Sequence, residues 1–234
     1  MQLLLILLQI STSEATTASQ PAGQIRMSYL DLAFKGGVLM IPIIILSLIA
    51  VYIVVERYFA IKKASQIDTN FMNRIRDYIH EGKIENALTL CQSYSNPVSR
   101  MIEKGIQRIG RPLTDISAAI ENVGKLEVYK LERGLPTLAT CAGGAPMLGF
   151  LGTVTGMVRA FYDMSMAGNN IDVTLLSRGI YTALITTVAG LIVGIIAYFA
   201  YNYMVAYVEK VVNKLEANST EFMDLLNEPV SKRM

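Results

Sequence analysis

Three long apolar segments alternate with polar, charged segments along the chain. Residues 36–55, 134–158 and 179–208 run for 20, 25 and 30 residues without any Asp, Glu, Lys, Arg or His. A bilayer core of about 30 Å needs about 20 apolar residues in an α-helix. The pattern therefore predicts three transmembrane helices, with the third extending past the hydrocarbon.

The polar connection between the first two apolar segments, residues 56–133, is predicted to be helical. Its apolar residues recur at helical spacing, and Asn96-Pro97 and Gly110-Arg111-Pro112 divide it into at least three helices. No proline interrupts residues 116–133, so a helix there is free to continue into the second span through Gly134.

The tail, residues 209–234, continues the third apolar segment with apolar residues at helical spacing. No alternation typical of strands persists anywhere in the sequence. We therefore predict an all-α polytopic membrane protein with three transmembrane helices, a helical cytoplasmic connection and a long C-terminal cytoplasmic helix extension.

The distribution of basic residues predicts the orientation in the membrane. Residues 56–133 contain thirteen Lys and Arg, whereas residues 159–178 contain two. Basic residues near the ends of spans favour the cytoplasmic side. The connection and the tail are therefore predicted to be cytoplasmic, and residues 25–35 and the short loop 159–178 are predicted to be periplasmic.

The N-terminal residues 1–24 resemble a secretory signal peptide. An apolar stretch too short to span a membrane precedes small and polar residues, and cleavage is expected near Ala18. The alternative is an uncleaved amphipathic start that lies on the outer face.

Composition and charge exclude several classes of function. Charged residues make up 17% of the chain, below the roughly 25% of soluble domains, and a net charge of +2 without a basic stripe argues against a nucleic-acid partner. Cys91 and Cys141 lie in different regions with no metal-ligand spacing, so neither a disulfide nor a metal site is expected. His80 beside Glu81 is interpreted as a solvated surface residue. No catalytic constellation or cofactor motif is found, so we predict that the protein is not an enzyme.

Small residues crowd the second and third apolar segments. Gly152 with Gly156 and Gly190 with Gly194 have the spacing that lets helix backbones approach closely. An interior proline, Pro146, is expected to kink or loosen the second helix. The predicted helix-packing residues are Gly149, Gly152, Gly156, Gly190, Gly194 and Pro146.

Threonines recur in the same two segments: Thr137, Thr140, Thr153 and Thr155 in the second, and Thr182, Thr186 and Thr187 in the third. One interpretation is that each hydroxyl bonds to a carbonyl of its own helix; the other is that together they form a polar strip that orients water. Ionisable groups inside a membrane normally mark proton relays, and these segments contain none. A hydroxyl does not hold a proton at neutral pH, so another polypeptide would have to bring the carboxylate. The candidate proton-path residues are Thr153, Thr182 and Thr187.

Two stretches resemble the MotA/TolQ/ExbB proton channel family. Residues 145–157, Ala-Pro-Met-Leu-Gly-Phe-Leu-Gly-Thr-Val-Thr-Gly-Met, followed by Ala160-Phe161, resemble its core signature, and residues 179–202 resemble its third-span signature. Glu56-Arg57 after the first span also fits, and the resemblance covers residues 36–215. Three spans with an outside N-terminus are similar to the ExbB and TolQ branch.

The resemblance implies a function, partners and a location. It implies a homopentamer in the bacterial inner membrane around a dimer of a single-span partner of the ExbD or TolR type, whose intramembrane aspartate takes and releases protons. Thr153 and Thr187 match the threonines that line the path beside that aspartate. The expected role is ExbB-like: the proton-motive force would drive a TonB-like protein for transport across the outer membrane. A TolQ-like role in envelope integrity, a non-conducting scaffold and a membrane enzyme are the alternatives.

One position departs from the family pattern. Members of this branch place a glutamate near the start of the third span, where this chain has Thr182. Proton entry or partner pairing is therefore expected to differ here. Asp172, in the preceding loop, is a candidate substitute acid; an Asp172→Asn variant with unchanged transport would remove that hypothesis.

Overall fold

The computed structural model describes residues 37–66, 68, 70–166 and 173–228. The predicted signal peptide, the predicted periplasmic residues 25–35 and Asp172 lie outside the described residues. Seven helices follow one another in the described part of the chain. They are α1 (Met40–Ser65), α2 (Phe71–His80), α3 (Ile84–Ser93), α4 (Pro97–Ile106), α5 (Leu113–Glu132), α6 (Leu135–Met166) and α7 (Val173–Asn227).

The all-α prediction is confirmed, because the described residues contain helices and no strands. Three stretches are long and apolar enough to cross a membrane: α1, the stretch Leu113–Met166 that contains α5 and α6, and residues Leu176–Asn227 of α7. Large apolar side chains on these helices are exposed, for example Leu48 at 67%, Phe150 at 68% and Phe199 at 69%. Exposed apolar surface of this extent requires lipid or another subunit around it, so the chain is a multi-pass membrane protein.

The membrane-spanning helices pack around a small apolar cluster. Ala50 and Ile53 of α1 meet Leu138 and Cys141 of α6 and Ala197 of α7. Pro42 and Pro136 both lie in the first turn of their helices, where a missing N–H costs little because that group has no intrahelical partner.

The connection contains four helices, α2 to α5, whose apolar side chains share one core with the last part of α7. We call this assembly the connecting bundle. Phe71, Ile75, Ile102, Ile120 and Phe222 are fully buried at its centre. The single helix α7 therefore belongs both to the third span and to the connecting bundle.

The sequence left open a single helix running from the connection into the second span, and the structure shows that the helix is interrupted there. Helix α5 ends at Glu132, α6 begins at Leu135, and Gly134 between them has φ +88°. This left-handed conformation is open to glycine and disfavoured for residues with a Cβ. We call residues Arg133 and Gly134 the α5–α6 joint.

The spans extend beyond the apolar segments. Helix α6 reaches Met166, past the predicted end at Val158, and α7 already begins at Val173. Pro146 lies inside α6, and the helix continues on both sides of it. The proline therefore does not end the helix, although it cannot donate the backbone hydrogen bond of that position.

Because Cys91 is buried, we expect its thiol to react slowly in the folded protein. Its side chain is 1% exposed in the connecting bundle, and burial raises the pKa of the thiol to about 12. The thiolate is the form that reacts. A pKa three units above the ordinary thiol value of 9.0 lowers the fraction of Cys91 present as thiolate about 1,000-fold. In a Cys141→Ala variant, which keeps Cys91 as its one thiol, alkylation of the native protein at pH 8 should be slower by about 100-fold to 1,000-fold than alkylation after denaturation. Equal rates would contradict the burial of Cys91.

Candidate functional site

Helices α6 and α7 pack along a contact in which glycines remove the side chains. We call this contact the α6–α7 seam. At its centre, a Cβ added to Gly190 would lie 2.5 Å from the carbonyl oxygen of Ala145 and 3.0 Å from the Cα of Gly149. A Cβ added to Gly149 would lie 3.0 Å from the carbonyl oxygen of Thr186. Backbone therefore touches backbone here, which only glycine permits.

Towards the end of the seam that leads to Met166 of α6 and Val173 of α7, the neighbours are side chains. A Cβ on Gly152 would overlap the side chain of Thr186, and a Cβ on Gly156 would lie 2.8 Å from the Cβ of Ala183. Thr186 is 2% exposed. Its hydroxyl donates to the carbonyl of Ala183 at 2.7 Å, so its polar group is satisfied although it is buried.

Towards the other end, Gly194 lies against Pro146. A Cβ on Gly194 would overlap the ring of Pro146 and would lie 3.0 Å from the carbonyl oxygen of Ala142. In an α-helix this carbonyl would accept from the N–H of residue 146, which proline lacks. Gly194 thus lets α7 cover the place where the backbone of α6 is incompletely hydrogen-bonded.

One hydroxyl crosses the seam. Thr187 on α7 donates from its Oγ1 to the carbonyl oxygen of Gly149 on α6 at 2.9 Å. The same carbonyl is the helical acceptor for the backbone N–H of Thr153. The side chain of Thr153 lies one turn further along α6, and its Oγ1 donates to the carbonyl of Phe150 at 2.6 Å. The two candidate threonines are therefore linked through a single turn of α6.

Thr182 lies apart from this pair. It lines a cavity of about 230 Å³ together with Thr155, Thr186 and Arg159, closed on one side by residues 37–39. At about 30 Å³ per water molecule, several waters fit in that volume. Thr155 donates to the carbonyl of Leu151 at 2.8 Å, so its oxygen lone pairs remain available as acceptors.

The seam combines hydroxyls with an absence of charge. Residues 134–158 and 179–208 hold no Asp, Glu, Lys, Arg or His, and Arg159 is the charged residue among those that line the cavity. Hydroxyls orient water and accept hydrogen bonds, but they do not store a proton at neutral pH. The arrangement supports proton passage only when a titratable group is brought to it from outside these helices.

Sequence reasoning missed three features of the site. It counted Thr186 among many threonines and did not identify its packing against Gly152. It also did not predict that Glu127 is buried and paired with Arg100. Nor did it predict that Arg57 is buried beside the α5–α6 joint. The sequence does contain a signal for the α5–α6 joint: Gly134 is followed two residues later by Pro136. Glycine commonly follows the end of a helix, and proline commonly lies in the first turn of the next one.

Comparison with known proteins adds evidence from sequence similarity. The model of the MotA/TolQ/ExbB proton channel family matches residues 93–217. A putative biopolymer transport protein ExbB homolog of Methanothermobacter thermautotrophicus is 31% identical over 188 residues, which is 80% of this chain and 66% of that protein.

Two further relatives carry the names of different systems. The Tol-Pal system protein TolQ of Pseudomonas aeruginosa is 30% identical over 155 residues, 59% of this chain and 67% of that protein. The biopolymer transport protein ExbB of Xanthomonas campestris is 30% identical over 109 residues, 47% of this chain and 43% of that protein. The chain thus spans from less than half to about two thirds of the length of these relatives.

Proposed function

Since this chain belongs to the MotA/TolQ/ExbB proton channel family, we propose that it is the ExbB-like subunit of an inner-membrane motor that uses the proton-motive force to energise TonB-dependent transport across the outer membrane. The observation that carries the proposal is the hydrogen bond from Thr187 to the carbonyl of Gly149 across the seam. This bond connects α7 to the turn of α6 from Gly149 to Thr153, within stretches of both helices that hold no charged side chain.

The partner supplies the missing acid. A single-span protein of the ExbD or TolR type would bring an aspartate into the membrane beside Thr153 and Thr187. Each proton that crosses yields about 2.3 kcal/mol per 100 mV of membrane potential. Protonation removes the charge of the aspartate and its cost in the membrane, so the partner helix moves between two positions and delivers that motion to a TonB-like protein.

The stoichiometry and the remaining site residues belong to the same proposal. Five copies of this chain would surround two partner helices, and the exposed apolar faces of α6 and α7 would meet neighbouring copies or lipid. The glycines and Pro146 would keep α6 and α7 together as one unit during the motion. Thr182 and its cavity would hold water at the outer end of the path, where the glutamate of related proteins is absent.

A TolQ-like role is the second candidate, because a TolQ protein is among the relatives at 30% identity. The two roles differ in the protein that receives the motion, and they predict different phenotypes. In cells lacking both motors, the chain and its native partner should restore uptake of a nutrient that needs a TonB-dependent receptor. The matched control is the same pair carrying Thr187→Val, which should be produced and assembled but should not restore uptake.

The outcome separates the candidates. Restored resistance to detergent without restored uptake would identify the TolQ-like role and would contradict the ExbB-like role. Failure to restore either phenotype, with both proteins present and assembled in the membrane, would contradict the motor function.

A further inference from the structure

Arg57 is a charged side chain that the structure buries at the inner end of α1. Its side chain is 9% exposed, and a buried guanidinium costs several kcal/mol unless its charge and its N–H groups are paired. Its Nε donates to the Glu56 carboxylate at 2.6 Å, and its Nη2 bonds to the other oxygen of the same group. Glu56 therefore compensates the charge and leaves one side of the guanidinium for another contact.

That contact is with the end of α5. Nη1 of Arg57 donates to the carbonyl oxygen of Lys130 at 2.8 Å. In an uninterrupted helix this carbonyl would accept from the N–H of residue 134, but α5 ends at Glu132 and Gly134 adopts φ +88°. A cation is favoured at a helix C-terminus, where carbonyls lack partners. Arg57 thus acts as a side-chain cap for α5, supplied by a different helix.

The same turn of α5 is also held from another direction. Lys130 donates from its Nζ to Glu127 at 2.7 Å, and Arg100 on α4 donates to the other carboxylate oxygen of Glu127 at 2.5 Å. The Glu127 side chain is only 4% exposed, whereas Arg100 is 43% exposed, so a buried carboxylate is held by cations that reach it from the surface. The last turn of α5 is therefore fixed to α1 on one side and to α4 on the other.

The geometry of the joint has a large effect at the seam. Thr153 lies 19 residues beyond Gly134, which is about 28 Å along a helix that rises 1.5 Å per residue. A change of about 10° at the joint would move the far end of a freely pivoting helix of that length by about 5 Å, so a joint at another angle would work against the contacts of the α6–α7 seam. Misplacement of a reacting group by about 1 Å is enough to cost about 100-fold in rate.

From these contacts we propose that Arg57 is a positioning residue of the motor. By capping α5 at the Lys130 carbonyl, it holds the α5–α6 joint at the angle at which Thr153 of α6 lies beside Thr187 of α7, where the partner would meet both. Helix α7 runs without a break from the seam into the connecting bundle, so the joint is where α6 adjusts to it. This inference rests on the proposed function, and it assigns a role to a residue that lies outside the proton path.

The test compares variants at the joint with a control variant that removes an arginine ion pair elsewhere in the connecting bundle. Arg57→Gln removes the charge and the cap, Arg57→Lys keeps the charge but not the two-sided bonding, and Gly134→Ala strains the joint without changing charge. The control is Arg76→Gln, which breaks the exposed pair between Arg76 on α2 and Glu221 on α7. Such exposed pairs contribute little to stability.

Two measurements are made on each full-length complex. The first is proton flux per assembled complex in proteoliposomes under an imposed membrane potential. The second is the distance across the joint between spin labels at the exposed positions Thr114 and Thr137, by pulsed electron paramagnetic resonance with Cys91 and Cys141 replaced. This measurement does not depend on flux, and the wild-type complex with the same labels is its reference.

We expect Arg57→Gln and Gly134→Ala to broaden the distance distribution and to lower flux by at least about tenfold. Arg57→Lys should fall between them and the wild type, and Arg76→Gln should match the wild type. Because both changes act on one joint, the double variant Arg57→Gln with Gly134→Ala should lose far less than the product of the two single losses.

Several outcomes would overturn the inference. One is an unchanged flux in Arg57→Gln and Arg57→Lys, and another is an equal loss in Arg76→Gln. Losses that multiply in the double variant would show that Arg57 and Gly134 act independently. If Arg57→Gln does not assemble, Arg57→Lys decides by the same criteria. If the wild-type complex carries no protons, the proposed function fails, while the distances still decide whether Arg57 holds the joint.

Discussion

Replacing Thr187 with valine is expected to abolish proton flux while the complex still assembles. Valine has nearly the same shape but lacks the hydroxyl that donates to Gly149. Interhelical hydrogen bonds in membranes contribute on average about 0.6 kcal/mol to stability, with a maximum near 1.7 kcal/mol, so assembly should survive. A positioned proton-transfer group contributes about 100-fold to 10,000-fold in rate, so the loss of flux should be at least about 100-fold.

The measurement is proton uptake by proteoliposomes that hold equal amounts of assembled complex. Thr153→Val should have a similar effect, because the hydroxyl of Thr153 lies one turn from the same carbonyl. Thr140→Val is the matched control: Thr140 is an exposed threonine of α6 whose hydroxyl donates to the carbonyl of Pro136, far from the Thr187 contact. Wild-type flux in both Thr153→Val and Thr187→Val would contradict the proposed path and would favour a non-conducting scaffold.

Replacing Gly190 with alanine is expected to destabilise the packing of α6 against α7. The new Cβ would lie 2.5 Å from the carbonyl oxygen of Ala145, and this neighbour is backbone that has no rotamer to change. Overpacking of this kind costs about 1–3 kcal/mol. Gly190→Ala should therefore lower the midpoint of thermal unfolding in detergent and the yield of assembled complex.

The same substitution at Gly143 of α6 should not lower stability. Gly143 has no neighbour within 4 Å of an added Cβ, and alanine is favoured over glycine in a helix by about 0.8–1.0 kcal/mol. Gly143→Ala should therefore leave the midpoint unchanged or raise it. Equal midpoints for Gly190→Ala and Gly143→Ala would contradict the close packing of α6 and α7.

Much of the fold could be predicted from the hydrophobic pattern. Each span needs a charge-free stretch of about 20 residues, and the sequence has three such stretches and helical spacing between them. The family was also identified from the residues of the second and third spans. These features are local along the chain, so sequence alone carries them.

Other features depend on contacts between distant residues. Thr186 and Thr187 are adjacent in sequence but lie about 100° apart around the helix, and only the position of α6 determines that one packs on Gly152 and the other bonds to Gly149. The pairing of Arg57 with the Lys130 carbonyl joins residues 73 positions apart. The contact of Gly194 with the ring of Pro146 joins residues 48 positions apart on two helices.

The central claim is that a seam of glycines and hydroxyls conducts protons only with a carboxylate from a partner. The most direct test is proton flux into proteoliposomes containing this chain alone, this chain with its native single-span partner, and the same complex with the partner's intramembrane aspartate changed to asparagine. The account predicts flux in the second preparation and none above background in the first and third. Equal flux with the asparagine variant, or flux from this chain alone, would contradict it.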